Sequence, residues 1–204
     1  MIFESNNYTS ENFSGVSIEE PDLTRKKFVK CNFDESDFSD VDTAYGCTFD
    51  SCSFNSTKLN GVKFTNCAFL SCKFKFTDFF ATVFEDCKMT GSDFRETDCS
   101  IIDIIGGDWS YTNLRFLKFE KKEFNNVRFW GADLTGCQFV QCKLKECEFN
   151  QAIVQNTSFL KSDIRSSSIS ELDISSINLK QTKLDLKQCV IIAEYLTKGM
   201  FSPE

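Results

Sequence analysis

The sequence is most informative at first for what it lacks. Its 204 residues include no histidine and only two prolines. Without histidine the chain has no access to the commonest general base of enzymes, and it cannot form a mixed cysteine–histidine zinc site. It also lacks a phosphate-binding glycine-rich loop and a nucleophile-elbow motif. We therefore expect no catalytic residues, no cofactor and no metal.

Long apolar runs are missing as well. No window approaches 18 apolar residues, and the first residues lack a basic region followed by an apolar stretch, so neither a membrane span nor a signal peptide is predicted. The two prolines lie near the ends, at Pro21 and Pro203, and no Gly/Ser-rich linker separates two halves. The expectation is a single domain in the cytoplasm with no membrane partner.

What the sequence does have is a period of five. From Phe49 to Leu184 every fifth residue is apolar, and a small residue, often cysteine, stands two positions before most of these centres. Five matches neither the 3.6-residue period of a helix nor the two-residue period of a strand. A short fixed period is typical of a solenoid, in which each unit buries its apolar side chains only by stacking on its neighbours.

Four five-residue units that each end in a turn close a square coil, so equivalent residues of successive coils stack at about 4.8 Å, the spacing of paired strands. The motif small-x-Leu/Phe-x-x, seen at 67–71 and 132–136, resembles the repeat of the pentapeptide-repeat family. That resemblance implies an all-β solenoid, a right-handed quadrilateral β-helix of about nine coils. A short C-terminal α-helix is expected to follow it.

Three segments are predicted. Residues 1–12 carry no period and form an N-terminal lead-in or cap. Residues 13–184 form the β-helix, with a one-residue insertion near 43–46 because the spacing from Phe38 to Phe49 exceeds two repeats by one position, and Gly46 is expected to ease the resulting bulge. Residues 185–204 form a C-terminal capping and dimerisation helix. Gly106-Gly107 predicts a second local irregularity.

Eleven cysteines pose the question of disulfides or metal ligation. Nine of them occupy the small inward position of the repeat, where stacked side chains have unfavourable torsions for a disulfide. We interpret them as reduced, buried thiols that fill space, with metal or redox roles as the weaker alternative.

The segment after Leu184 has helical character. Asp185 and Gln188 fit an N-cap and capping box, and the helix is expected to end near Gly199. One apolar stripe, which includes Leu186, Cys189 and Val190, is predicted to seal the open end of the solenoid. A second apolar side predicts a homodimer, with a monomeric, doubly buried cap as the alternative. The predicted interface residues are Leu186, Val190, Ile191, Ile192, Tyr195 and Leu196.

The C-terminal residues narrow the resemblance. The stretch 171–174, followed by Asn178-Leu179, Lys183-Leu184-Asp185 and the helix, resembles the C-terminus of Qnr-type proteins, the quinolone-resistance members of the family. The resemblance implies a dimeric rod that mimics DNA and binds DNA gyrase or topoisomerase IV. The two long loops of the best-known Qnr members have no counterpart here.

Charge is distributed unevenly. Residues 1–50 hold eleven acidic and four basic residues, which accounts for the whole net charge of −7. Direct nucleic-acid binding is therefore disfavoured. The expected rod is about 40 Å long, and B-DNA carries roughly 24 phosphate charges over that length. The rod carries far fewer charges, so mimicry must depend on local acidic clusters. The candidate partner-binding acids are Asp34, Glu35, Asp37, Asp40, Asp42 and Asp50.

The repeat frame also places Phe76 and Phe116 on the outside, two coils apart in one column. Phe80 and Trp130 are expected to face outward as well. Exposed aromatic residues aligned in this way favour an alternative function, a non-enzymatic interaction scaffold with another partner.

Overall fold

The computed structural model describes residues 2–197, which form a right-handed quadrilateral β-helix followed by one α-helix. The strands are three residues long, with the central residue pointing into the solenoid. They are β1 Asn7–Thr9, β2 Asp22–Thr24, β3 Lys27–Val29, β4 Thr43–Tyr45, β5 Thr48–Asp50, β6 Lys63–Thr65, β7 Ala68–Leu70, β8 Val83–Glu85, β9 Asp103–Ile105, β10 Lys118–Glu120, β11 Glu123–Asn125, β12 Gln138–Val140 and β13 Lys143–Lys145. A 3₁₀ turn covers Ile174–Ser176 and α1 covers Leu186–Leu196.

Each coil has four sides, and the pairing between coils is parallel. Side 1 carries β1, β3, β5 and β7, whereas side 4 carries β2, β4, β6, β8 and β9 in one sheet and β11 and β13 in another. Side 2 is joined by single bridged residues from Asn12 to Ile153. Side 3 has single bridges from Ser17 to Asp78 and continues with β10 and β12. Most bridged partners are equivalent residues of successive coils, such as Phe119 and Phe139, as the five-residue period predicts.

The number of regular coils is slightly smaller than predicted. The β-helix has about seven regular turns, against the nine expected. Two further coils are incomplete within the described residues, because the side at Asp98 and the side at Asp173 have no bridged partner. The five-residue period continues through both coils, so a count from the sequence includes them.

The core is built from columns of stacked rings. On side 1, the rings of Phe28 and Phe49 are 5.0 Å apart and those of Phe49 and Phe69 are 4.7 Å apart, with interplanar angles of 6° and 12°. This separation matches the rise between coils of about 4.8 Å, so identical side chains stack without adjustment. Neighbouring sides meet edge to face, as Phe64 and Phe69 do at 84°.

The small inward residues do more than fill space. The thiol of Cys137 donates to the carbonyl oxygen of Leu114 at 2.7 Å, and the hydroxyl of Thr57 donates to that of Phe33 at 2.6 Å. The hydroxyl of Ser162 makes the same kind of bond at 2.9 Å. Cysteine, threonine and serine therefore share one role, which is to satisfy a buried carbonyl of the preceding coil.

The cysteines are free thiols, and ten of the eleven are buried. Burial raises the pKa of Cys137 to about 12 and that of Cys147 to about 11, because the thiolate would lose its solvation in the core. The prediction that the repeat cysteines are buried and fill space is confirmed, and Cys189 on the helix is the exposed exception.

The extra residue enters just before β4. The N–H groups of Asp42 and Thr43 both donate to the carbonyl of Pro21, and the register shifts by one position there, so that Leu23 is paired with Ala44. Gly46 has a positive φ of +62°, yet Arg25 at the same place in the preceding coil has a φ of +51°. The conformation of Gly46 therefore belongs to the regular turn and not to the insertion.

The first coil begins inside the segment expected to be a lead-in. Strand β1 pairs with β3, and Phe3 is buried against the rings of Tyr8, Phe13 and Phe28. The aromatic ring of Phe3 thereby covers the core at the N-terminal end of the described chain.

Candidate functional site

The acidic residues singled out from the sequence lie mainly around one part of the second coil. Asp34 lies on side 2, Asp37 lies on side 3, and Glu35 forms the turn between them. Asp40 and Asp42 follow on the approach to side 4. Asp50 is separate, since it belongs to β5 on side 1, across the solenoid from side 3.

These carboxylates differ in their surroundings. Asp34 accepts hydrogen bonds from the Ser53 hydroxyl at 2.5 Å and the Asn55 N–H at 2.8 Å, so it helps to hold two coils together. Hydrogen bonds from Ser39, together with the ion pair to Lys58 at 2.9 Å, lower the pKa of Asp37 to about 2. These two acids have structural partners of their own.

The remaining acids of this coil are free to meet a partner. Glu35, Asp40 and Asp42 are exposed, and within residues 2–197 their carboxylates have neither an ion pair nor a hydrogen bond. Charges of this kind contribute little to stability and are available for recognition.

Phe76 and Phe116 lie on the same edge as Glu35, the edge between sides 2 and 3. Its turn positions have a positive φ from Gly15 to Asn156, and Phe76 and Phe116 are 59% and 66% exposed. From the second to the sixth coil, the turn residues of this edge are Glu35, Ser56, Phe76, Glu96 and Phe116. The structure therefore joins the acidic and the aromatic candidates, which the sequence left as separate surfaces, into one edge.

The two aromatic rings are held differently. The Phe116 ring lies over Gly136, where an added Cβ would lie 2.5 Å from it, and the Arg115 guanidinium lies 5.4 Å from its centre. The Lys75 ammonium lies 4.9 Å from the centre of the Phe76 ring and pairs with Glu96 at 2.9 Å. Phe116 is thus fixed against the next coil, whereas the Phe76 ring borders an open groove.

The groove beside Phe76 was missed by the repeat frame, although the frame placed Phe80 outside. Phe80 and Ile101 are 58% and 48% exposed and line the groove together with Phe76. The signal for it is Cys99, a small residue at a centre position that phenylalanine holds in the two adjacent coils, with Phe79 before it and Phe119 after it in the same column.

Trp130 differs from its expected position. The sequence frame placed its side chain outside, but the structure leaves it half-buried beneath Arg128, whose guanidinium lies 5.2 Å from the indole. The cationic side chain covers the ring, so Trp130 adds less accessible aromatic surface than the phenylalanines do.

The C-terminal helix is capped as predicted. The Asp185 carboxylate accepts from the Gln188 N–H at 2.9 Å, and the Gln188 side chain accepts from the Asp185 N–H at 3.0 Å. The buried Gln188 amide also donates to the carbonyls of Ile164 and Ser167, which ties the helix to the last coils. The predicted helix end at Gly199 lies outside the described residues.

The two apolar sides of this helix are exchanged relative to the prediction. Ile191 and Ile192 pack against the core, and the Tyr195 hydroxyl donates to the Asp173 carboxylate, so these three residues belong to the sealing side. Leu186 and Leu196 are 81% and 71% exposed, and Val190 is half-buried. We call the outward residues the free stripe, namely Leu186, Cys189, Val190, Ala193 and Leu196.

Within residues 2–197 no group of three or more His, Cys, Asp or Glu side chains is placed to hold a metal ion. The helix in this part of the chain is not long and apolar enough to cross a membrane.

Comparisons with known proteins identify the repeat. Residues 110–145 and 123–159 match the family model described as pentapeptide repeats. No curated protein matches the chain in sequence at a significant level. The sequence match is therefore limited to the repeats of residues 110–159.

Solved structures match along nearly the whole chain. A trypsin-treated variant of QnrB1, a plasmid-mediated fluoroquinolone resistance protein, is 24% identical and has a TM-score of 0.77, with 94% of this chain and 98% of QnrB1 covered. Full-length QnrB1 gives 23% identity, a TM-score of 0.78, and 93% and 99% coverage.

A more distant match is HetL, a pentapeptide-repeat protein of the cyanobacterium Nostoc sp. strain PCC 7120 involved in heterocyst differentiation regulation. It is 14% identical, with a TM-score of 0.54, and the match covers 87% of this chain and 86% of HetL. At these identities each likeness establishes the fold. Together with the repeats matched at 110–159, these likenesses show that this chain carries pentapeptide repeats and has the fold of QnrB1.

Proposed function

We propose that the protein is a non-enzymatic, cytoplasmic DNA mimic that binds a type II topoisomerase, either DNA gyrase or topoisomerase IV. It would inhibit that enzyme or protect it from quinolones or from a toxin, and so contribute to antibiotic resistance. The observation that carries the proposal is the match to QnrB1 over 93% or more of this chain, since QnrB1 is a fluoroquinolone resistance protein.

The exposed acidic residues of the second coil support the same proposal. A DNA-binding groove of an enzyme is positively charged, and a rod with regularly spaced carboxylates can occupy it in place of DNA. Glu35, Asp40 and Asp42 present unpaired negative charges around the second coil, and Phe76 and Phe116 add apolar contact area on the adjoining edge. The partly engaged carboxylates contribute charge at the margins of this surface, and these are Asp34, Asp37 and Asp50.

Dimerisation is part of the proposal. The free stripe of the C-terminal helix is apolar and exposed, and a second copy of the chain could cover it. Because the stripe lies at the C-terminal end, the dimer would be a longer rod whose two distal ends are the acidic N-terminal coils. Ile191, Ile192 and Tyr195 would support this interface from the sealing side without forming it.

A second candidate function, a scaffold for another partner, is favoured by the exposed aromatic side chains of the fourth to sixth coils. Phe76, Phe80 and Phe116 are each more than half exposed, which DNA mimicry does not require.

The experiment is a DNA gyrase supercoiling assay with and without a fluoroquinolone. We expect the protein to restore supercoiling in the presence of the drug. The variant Glu35→Gln/Asp40→Asn/Asp42→Asn should need at least about tenfold more protein, since each lost interface charge is worth on the order of 0.5–1 kcal/mol.

A matched variant separates local from total charge. Glu120→Gln/Glu146→Gln/Glu171→Gln removes the same number of exposed charges from other coils and should behave like the wild type. If both variants lose the ability to restore supercoiling equally, the enzyme recognises net charge and not the acidic residues of the second coil. If the wild-type protein neither restores nor inhibits supercoiling, the topoisomerase proposal fails and the scaffold function remains.

A further inference from the structure

The ladder of side 3 is interrupted at one coil. Bridged residues link Asp37, Lys58 and Asp78 in succession, and pairing resumes at β10. Asp98 occupies the intervening place in this column, but within residues 2–197 it pairs with neither neighbour. Sides 1 and 2 remain bridged at this level, and side 4 is paired as far as β9 before its sheet ends. The segment 97–101 is therefore the least supported part of its coil.

The hydrogen bonds show what is missing. One coil earlier, the Leu59 N–H donates to the carbonyl of Asp78 at 2.9 Å and the Gly61 N–H to that of Phe80 at 2.8 Å. The N–H groups at the two equivalent positions, 79 and 81, make no backbone hydrogen bond to the segment 97–101. These two groups therefore lack the partners that the rest of the ladder supplies, and unpaired backbone groups are rare in folded proteins.

A one-position slip accompanies the interruption. Two coils later on the same edge, the Phe116 N–H donates to the carbonyl of Thr135 at 2.9 Å. The position equivalent to Thr135 for Phe76 is Arg95, but the Phe76 N–H donates instead to the carbonyl of Glu96, at 3.2 Å. The chain at Glu96 is therefore shifted by one position relative to the preceding coil, and the regular register returns at β9, where Val83 pairs with Asp103.

An open groove lies at the interruption. It has a volume of about 450 Å³ and is lined by Phe76, Phe80 and Ile101 together with Asp78 and Asp98. The three apolar side chains are 59%, 58% and 48% exposed. A cluster of three large apolar side chains that are about half exposed is a recognised mark of an interaction site.

The groove is negatively charged. The Asp78 carboxylate accepts the Phe80 N–H at 3.0 Å and the Asp98 carboxylate accepts the Ser100 N–H at 2.9 Å. Neither carboxylate forms an ion pair within the described chain, whereas the nearby Glu96 is paired with Lys75. Asp78 and Asp98 therefore offer uncompensated charge beside an apolar floor.

We propose that this groove binds an extended segment of a partner protein in which apolar side chains alternate with lysine or arginine. The apolar side chains would cover Phe76, Phe80 and Ile101, and the basic ones would pair with Asp78 and Asp98. Alternate apolar side chains of an extended segment can cover the floor on one face, and the long, flexible lysine or arginine side chains between them can bend back to the acidic rim. An extended chain, unlike a helix, also has free backbone groups to offer to the unpaired N–H groups at positions 79 and 81.

The proposal does not depend on a topoisomerase as partner. The test uses a dye-labelled acetylated peptide, Lys-Phe-Lys-Phe-Lys-amide, titrated with the full chain and followed by fluorescence anisotropy at low salt. We expect saturable binding that weakens at least tenfold in Phe80→Ser/Ile101→Ser. Asp78→Asn/Asp98→Asn should weaken binding severalfold and flatten its salt dependence.

Controls make the result specific. Tyr111 is 61% exposed on the edge between sides 1 and 2, so Tyr111→Ser removes an equivalent aromatic group elsewhere and should bind as the wild type does. The peptide Glu-Phe-Glu-Phe-Glu should not bind, and a backbone N-methylated Lys-Phe-Lys-Phe-Lys should bind more weakly. Absence of saturable binding, or equal losses in Tyr111→Ser and in the groove variant, would overturn the proposal.

Discussion

Replacing Gly107 by alanine should destabilise the protein by about 3 kcal/mol or more, the largest effect we expect from adding a single methyl group. Gly107 occupies the small inward position directly above Cys87, with a φ of +93°. A Cβ there would lie 2.2 Å from the carbonyl oxygen of Cys87 and 2.9 Å from its nitrogen. Backbone atoms of a paired coil cannot move aside as a flexible side chain can, so the coils must separate.

The matched control is Gly61→Ala. Gly61 has a similar φ of +77°, but an added Cβ would meet nothing within 4 Å. Gly61→Ala should lower the free energy of unfolding by only about 1–2 kcal/mol, which is the strain of a left-handed conformation in a residue other than glycine. Urea denaturation followed by circular dichroism measures both variants. Similar losses of stability in the two would show that the close approach at Cys87 does not determine the effect.

The second large effect concerns assembly. The double variant Leu186→Asp/Leu196→Asp should convert a dimer into a monomer. Burying a leucine contributes about 1.5–3 kcal/mol, so losing two from the interface weakens association by at least about a hundredfold. Sedimentation equilibrium should give a mass near 23.3 kDa for the variant and about twice that for the wild type.

The control adds negative charge outside the helix, a change of −3 against the −2 of the helix variant. Ser170 and Lys180 are exposed residues of the last coil, and Ser170→Asp/Lys180→Asp should remain dimeric. A wild-type protein that stays monomeric at micromolar concentration would contradict the assigned interface. So would a double variant that stays dimeric, because Ile191 and Ile192 are committed to the core and cannot replace the free stripe.

Most features of the fold that could be predicted from the sequence follow from the five-residue period. It implies a parallel four-sided solenoid because the same inward pair, such as Cys67 and Phe69, recurs at each side, and no helix or flat sheet can bury that pattern. The capping box was equally readable, since Asp185 and Gln188 have the required spacing.

Other features depend on contacts between coils, which a period does not reveal. The helix has apolar residues on two sides, and only the docking of Gln188 onto Ile164 and Ser167 decides which side faces the core. The interruption of side 3 coincides with Cys99, which keeps the apolar period while supplying much less volume than phenylalanine. A residue class was enough to predict the fold, but residue size was needed to predict the groove.

The acidic and the aromatic candidate residues were predicted from the sequence as two separate surfaces, but they share one edge in the structure. Glu35 and Phe76 lie on opposite sides of the insertion before β4, so a strict count of the period places them out of register. The structure aligns them on one edge. A candidate surface that combines charge and aromatic area therefore emerged only with the three-dimensional register.

Competition with DNA shows whether the acidic rod replaces DNA on a type II topoisomerase. A fluorescently labelled DNA duplex is bound to DNA gyrase, and the purified protein is added while the anisotropy of the DNA is followed. We expect the protein to displace the duplex completely and excess unlabelled DNA to reverse the displacement. A protein that binds gyrase while the labelled duplex stays bound, or one that does not bind gyrase at all, would contradict this expectation.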